Sequence, residues 1–148
     1  MNLSGRRFDL VVFLAILLLS VLVAGCSQSQ RDVGPRLDTT PLTGVVQVDG
    51  EPATGVMVEC HPVPGKSEVK SPLVALTNED GEFSFGLYEK GGGIPAGTYQ
   101  LVFKWELFEN GMKDKLNGAY ADPKDSKFPV TVEDGVSTDL GIIELSTK

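Results

Sequence analysis

Residues 97–106 read Gly97-Thr98-Tyr99-Gln100-Leu101-Val102-Phe103-Lys104-Trp105-Glu106. Tyr99, Leu101, Phe103 and Trp105 alternate with Gln100, Val102, Lys104 and Glu106, a period of two that puts every ring on one side of an extended backbone. Just upstream, Pro95 presets φ and Gly97 relieves the bend that leads into the run. Working outward, the same period recurs in Val46/Val48, in Val56/Val58/Cys60, in Phe83/Phe85 and in Phe128/Val130/Val132. Leu73–Thr77 and Leu140–Leu145 complete a set of seven short apolar segments. No helical crossover pattern lies between them, so the reading is an all-β, seven-stranded antiparallel Greek-key sandwich over residues 41–146.

The breaks between segments carry turn chemistry. Asp49-Gly50 and Asp80-Gly81 place glycine where positive φ lets the flanking strands fold back. Pro62 is expected to stop the second strand, and Pro129 to mark an edge strand, because proline has no N–H for a ladder. Ile142 and Ile143 are adjacent, so alternation leaves the inward face of the last strand open. Leu107–Lys127 is interrupted by Asn110-Gly111 and Asn117-Gly118 and reads as a loop with at most one helical turn. Gly91-Gly92-Gly93 reads as a flexible stretch; with no helix or Lys-Ser/Thr after it, it is not a phosphate loop.

The first 25 residues are of another kind. Arg6-Arg7 precedes an apolar run over Leu10–Val23, too short at fourteen positions for the roughly 20 that cross a bilayer. A charged start, an apolar middle and small residues at the end make a secretory signal. Phe8-Asp9 after the arginine pair departs from the twin-arginine pattern, which favours the general secretion route. The polar stretch that follows, Ser27–Thr40, has no periodicity and is expected to be a flexible tether. With 17 Gly and 9 Pro in 148 residues, long helices and coiled coils are excluded elsewhere.

Leu22-Val23-Ala24-Gly25-Cys26 resembles the lipobox of bacterial lipoproteins. The resemblance implies signal-peptidase recognition of Val23, Ala24 and Gly25, cleavage before Cys26, and attachment of diacylglycerol to its thiol. Two or more acyl chains hold a protein stably at a membrane where one holds it only marginally. Ser27 after the cysteine implies the outer membrane by resemblance to sorting in two-membrane bacteria. The alternative is an uncleaved single-pass anchor in which Cys26 is an ordinary residue.

A second resemblance spans about Thr43 to Leu145. Gly44-x-Val46-x-Val48-x-Gly50-x-Pro52-x-x-Gly55, Thr77-x-x-Asp80-Gly81-x-Phe83 and Pro95-Ala96-Gly97-Thr98-Tyr99 resemble the carboxypeptidase regulatory-like, or transthyretin-like (prealbumin-like), β-sandwich domain. Tyr120-Ala121-Asp122-Pro123 and Val130-x-Val132-x-x-Gly135 look like the tail of small bacterial lipoproteins built on it. The resemblance implies a fold and not a chemistry. Transthyretin-like enzymes that hydrolyse 5-hydroxyisourate use several His and Arg residues and a particular C-terminal tetrapeptide, whereas this chain has one His and ends Leu145-Ser146-Thr147-Lys148.

Function classes narrow accordingly. Thirteen Lys and Arg against 20 Asp and Glu give a net charge of −7 with no basic cluster, so nucleic acid is not an expected partner. His61, the single histidine, reads as an exposed imidazole at a strand end, without a second His to share a metal or a base role. Cys60 reads as a buried small hydrophobe, an intermolecular disulfide being the alternative. Asn78-Glu79-Asp80-Gly81 reads as a hairpin turn, with a weak surface cation site at Asp49, Glu79 and Asp80 as the alternative; no metal or cofactor is expected. Tyr88, Trp105, Phe108 and Tyr120 are the candidate contacts for a ligand or partner. Against that, Trp105 continues the inward face of its strand and Tyr120 covers the end of the core. The expectation is a non-enzymatic, lipid-anchored envelope protein, periplasmic or at the surface, with a structural or protein-interaction role; the alternative is a carbohydrate- or peptide-binding module using those aromatics.

Overall fold

A computed structural model describes residues 36–108 and 112–148. The leader, Val23, Ala24, Gly25 and the lipidation candidate Cys26 lie outside the described residues. The folded body runs from Leu37 to Lys148. Its strands are β1 (Leu42–Val48), β2 (Glu51–Pro52), β3 (Met57–Ser67), β4 (Leu73–Leu76), β5 (Glu82–Ser84), β6 (Gly97–Lys104), β7 (Glu106–Phe108), β8 (Met112–Asp114), β9 (Phe128–Val132) and β10 (Thr138–Leu145). One sheet is ordered β10-β1-β2, with β5 also paired to β1; the other is β4-β3-β6-β9; β7 and β8 form a hairpin. The protein is an all-β sandwich. No helix among the described residues is long and apolar enough to cross a membrane.

Alternation becomes packing. Leu42, Val46 and Val48 of β1, Val58 and Cys60 of β3, and Tyr99, Leu101 and Phe103 of β6 are buried, as are Val130 and Val132 of β9. Ile143 and Leu145 of β10 join them, while Ile142 faces out, which settles the open face of the last strand. Phe83 and Phe85 meet edge to face with ring centres 5.6 Å apart, a favoured aromatic geometry. Pro129 does sit on an edge strand, opposite Gln100.

Several expectations are corrected. There are ten strands rather than seven among the described residues, because the short β2 and the β7–β8 hairpin carry no strong alternation. The sandwich is not wholly antiparallel, since β10 runs parallel to β1. A parallel pair needs a long connection, and here the whole domain supplies it; alternation reports a face and not a direction. Pro62 does not stop β3, whose pairing with β6 continues to Ser67 across an irregular register. Past Cys60, β3 has no β4 beside it, and an unpaired side tolerates proline. Residues 107–127 hold a hairpin followed by turns, with Leu116 buried.

Two glycine-bearing segments do more than expected. The turn at Asn78–Gly81 joins strands of different sheets, not a hairpin. Asn78 Oδ1 accepts from Asp80 N at 3.0 Å and Glu82 N at 2.9 Å, and Gly81 O accepts from Val46 N at 2.8 Å. Gly81 has φ of 75°, and a Cβ there would lie 2.4 Å from Val46 O. Gly91–Gly93 is likewise ordered: Gly93 N donates to Phe85 O at 3.0 Å, and a Cβ on Gly93 would meet Thr40 O. Thr40 in turn pairs with Ile94 in both directions, so the fold begins a few residues before the expected boundary at Pro41.

Replacing Gly81 should therefore cost more than its φ alone. We expect Gly81→Ala to lose about 3 kcal/mol in urea denaturation, combining left-handed backbone strain with a backbone collision. Gly135→Ala, at similar φ but with nothing within 4 Å, should lose only about 1 kcal/mol. Equal losses would refute the close-approach explanation.

Candidate functional site

The sandwich is open along one side, where β4 ends one sheet and β5 flanks β1 in the other. A groove of about 830 Å³ lies there. One wall is Val74, Ala75 and Leu76 of β4; the other includes Val45, Phe83 and Ser84. Ala75 and Phe83 point into the core, but Val74 and Leu76 are 54% and 63% exposed. Glu82, Asp139 and Lys90 supply the charge around it. Sequence reasoning missed this place because Leu73–Leu76 is apolar throughout and so names no outward face.

On the outer face of the second sheet, β3 and β6 build a polar chain. Lys104 Nζ donates to Glu59 Oε1 at 2.7 Å, and His61 Nε2 lies 2.8 Å from Glu59 Oε2. Residues 59 and 61 share a face by strand periodicity, and Lys104 comes from the neighbouring strand. Partial burial alone would raise the Glu59 carboxyl, but the hydrogen bonds from Lys104 and His61, with their charges, hold it below the usual carboxylate range. His61 is thus neither at a strand end nor free, since its ring is tied to Glu59. Among the described residues, no group of three or more His, Cys, Asp or Glu is gathered to hold a metal ion. Asp49, one of the three acids considered for a cation, instead accepts from the hydroxyls of Ser146 at 2.9 Å and Thr147 at 2.6 Å.

The aromatic candidates are dispersed. Trp105 packs against the core, donates Nε1–H to Thr54 O at 3.0 Å, and carries Lys115 Nζ 3.8 Å from its ring centre. A cation over the ring takes the face that a sugar would stack on. Tyr120 covers the end of the core beside Phe128, and its hydroxyl accepts from Ser146 N at 3.1 Å. Tyr88 is 40% exposed, and its hydroxyl accepts from Leu37 N at 2.8 Å. Phe108 stands on β7 opposite Met112. The hairpin that bears it is tied down by Asp114, whose Oδ1 accepts from Trp105 N and Leu116 N and whose Oδ2 accepts from Gly118 N. Trp105 and Tyr120 serve the core, the alternative their spacing had left open.

Cys60 is fully buried, and burial pushes its thiol up to about 12. A thiol in that state is neither a nucleophile nor accessible to a disulfide partner.

No family model matches the chain, and no curated protein matches it. Among solved structures it is similar to a DUF3823 family protein from Parabacteroides merdae, at 14% identity and a TM-score of 0.41, covering 75% of this chain and 46% of that one. It is also similar to a 9R-lipoxygenase from Cyanothece, at 14% identity and a TM-score of 0.37, covering 76% of this chain and 17% of that one. The chain thus spans less than half the length of either.

Two measurements check this geometry. Cys60 in the native protein should react with a thiol reagent roughly a hundredfold more slowly than in urea, and native labelling at the unfolded rate would contradict its burial. Glu59 has a folded pKa below its unfolded one, so the stability it contributes is complete at neutral pH and is lost as pH falls below roughly 4. Glu59→Gln should cost on the order of 1 kcal/mol at pH 7. That gap should close in acid; a pH-independent difference would show that the charge is not its origin.

Proposed function

We propose that this is a non-enzymatic, lipid-anchored protein of the bacterial envelope, held at a membrane (the outer membrane favoured) through acylated Cys26 and acting through protein contacts. The single observation that carries the interaction role is the edge strand β4, paired to β3 on one side and open on the other, with Val74 and Leu76 exposed beside a groove. Apolar side chains grouped beside a concave surface are characteristic of contact sites rather than of ordinary surface. One further observation supports a role without catalysis: Cys60 is sealed in the core.

The carboxypeptidase regulatory-like resemblance draws support from four of the residues that carry it. Thr77 binds the loop at Ala53 and Val56, Gly81 meets β1, and Phe83 and Tyr99 fill the core. These are scaffold tasks, as that resemblance implies. The carbohydrate-binding alternative loses support at Trp105, whose ring already carries Lys115.

Intact-mass analysis of the chain expressed in a two-membrane bacterium tests the anchor. The expected species begins at Cys26 and carries diacylglycerol, and Cys26→Ser should leave an unlipidated precursor. Wild-type protein that keeps an unmodified leader would refute the proposal.

A further inference from the structure

We propose that the β4 edge binds an extended segment of a partner protein by strand addition, and that this segment has apolar side chains at alternate positions together with lysine or arginine. The inference rests on the protein-interaction reading above and gives the partner's chemistry. It begins with the ladder. Thr77 N donates to Val56 O and Thr77 O accepts from Gly55 N, so both backbone groups of Thr77 face β3. In an antiparallel pair the residues that exchange bonds alternate along the strand. Ala75, opposite Val58, and Leu73, opposite Cys60, therefore face β3 as well. The N–H and C=O groups of Val74 and Leu76 point the other way, and no turn or loop backbone among the described residues reaches them. The same two residues expose their side chains. An added strand would gain backbone hydrogen bonds and apolar contact along about 13 Å of edge.

The edge is short, but within its four residues it lacks the charge and proline that usually protect an exposed strand. Lys70 and Pro72 stop short of it. Charge then selects the occupant. Glu82 and Asp139 line the groove against Lys90 alone, and the chain as a whole is at −7. A second copy pairing edge to edge would bring both pairs of carboxylates together, whereas a basic segment neutralises them. The chain's own Ser27–Pro35 offers a single apolar residue, Val33, and does not match the alternation.

The test uses the full chain in detergent and two labelled synthetic octapeptides of alternating valine and threonine, one flanked by lysines and its twin by glutamates. The lysine peptide should shift the amide resonances of Val74 and Leu76 and bind roughly tenfold tighter than the twin. Val74→Pro removes an outward N–H without touching the β3 ladder, and Leu76→Lys places a charge on an exposed position. Each should weaken the lysine peptide roughly tenfold with the thermal midpoint little changed. Glu82→Gln with Asp139→Asn should abolish the preference for lysine. The inference is overturned if neither peptide moves these amides, if both edge variants bind as the wild type does, or if the amides shift with the protein's own concentration, which assigns the edge to a second copy. Should the peptides fail while a photo-crosslinker at Tyr88 still traps an envelope protein, strand addition falls and the interaction reading stands. Failure of both removes both.

Discussion

The hydrogen bonds of Thr77 hold the two sheets in one frame. Its hydroxyl donates to Ala53 O and accepts from Val56 N at 2.9 Å, while its backbone binds Gly55 and Val56. Four residues on, Gly81 O receives Val46 N, and Val46 O receives Ala53 N at 3.1 Å. One short segment therefore binds β1 and the loop between β2 and β3, where the chain passes from one sheet to the other. Because Thr77 is buried, water cannot replace these partners, and losing the hydroxyl would strand a buried N–H and a buried carbonyl. The Phe83–Phe85 pair can fill the core only because this crossing delivers β5 to β1 at a fixed height.

The same device, a polar side chain that accepts backbone N–H groups, orders the periphery. Asp114 gathers three of them around the turn after β8, and burial, which would raise its carboxyl, is outweighed by these bonds and by the Lys104 charge, so it lies low. Asp49 fastens the C-terminal residues through Ser146 and Thr147, and Thr40 receives Gly135 N at 3.0 Å. Such bonds commit Asp114, Asp49 and Thr40 to holding backbone and chain ends in place. That is a physical reason to look for function in the backbone of an open edge rather than in a polar constellation.

What the sequence made legible follows from which property was asked. Tyr99, Leu101 and Phe103 declared a strand and its inward face because period two states both. Pro129 declared an edge because a missing N–H needs an unpaired side, and Pro62 met the same need where β3 has no β4 beside it. Strand direction, and so the parallel β1–β10 pair, was not legible, since alternation is the same in either sense. Nor was the order in Gly91–Gly93: a glycine run looks alike whether it serves a loose linker or backbones packed too closely for a Cβ. At the candidate site, Leu73-Val74-Ala75-Leu76 hid its outward face because all four residues are apolar. Lys104 was invisible as a partner for Glu59 until β6 was laid beside β3.

The sandwich's edges differ in how they are guarded. β9 carries Pro129, which withholds a donor, and Lys127 stands just before it. β10 has an irregular register against β1 where Gly141 adopts positive φ, and such irregularity twists an edge away from pairing. β2 is two residues long and includes Pro52. Each of these is a known means of stopping uncontrolled strand addition. β4 is short too and follows Pro72, but its own four residues carry no charge, proline or register shift, and it presents Val74 and Leu76 besides. β5, also at an edge, is three residues long and begins with Glu82. With the other edges blunted by different chemistry, the apolar edge of β4 is better explained by use than by neglect. Its neighbouring carboxylates then act as the selective element: they disfavour a like-charged copy and leave the edge available to a segment of opposite charge.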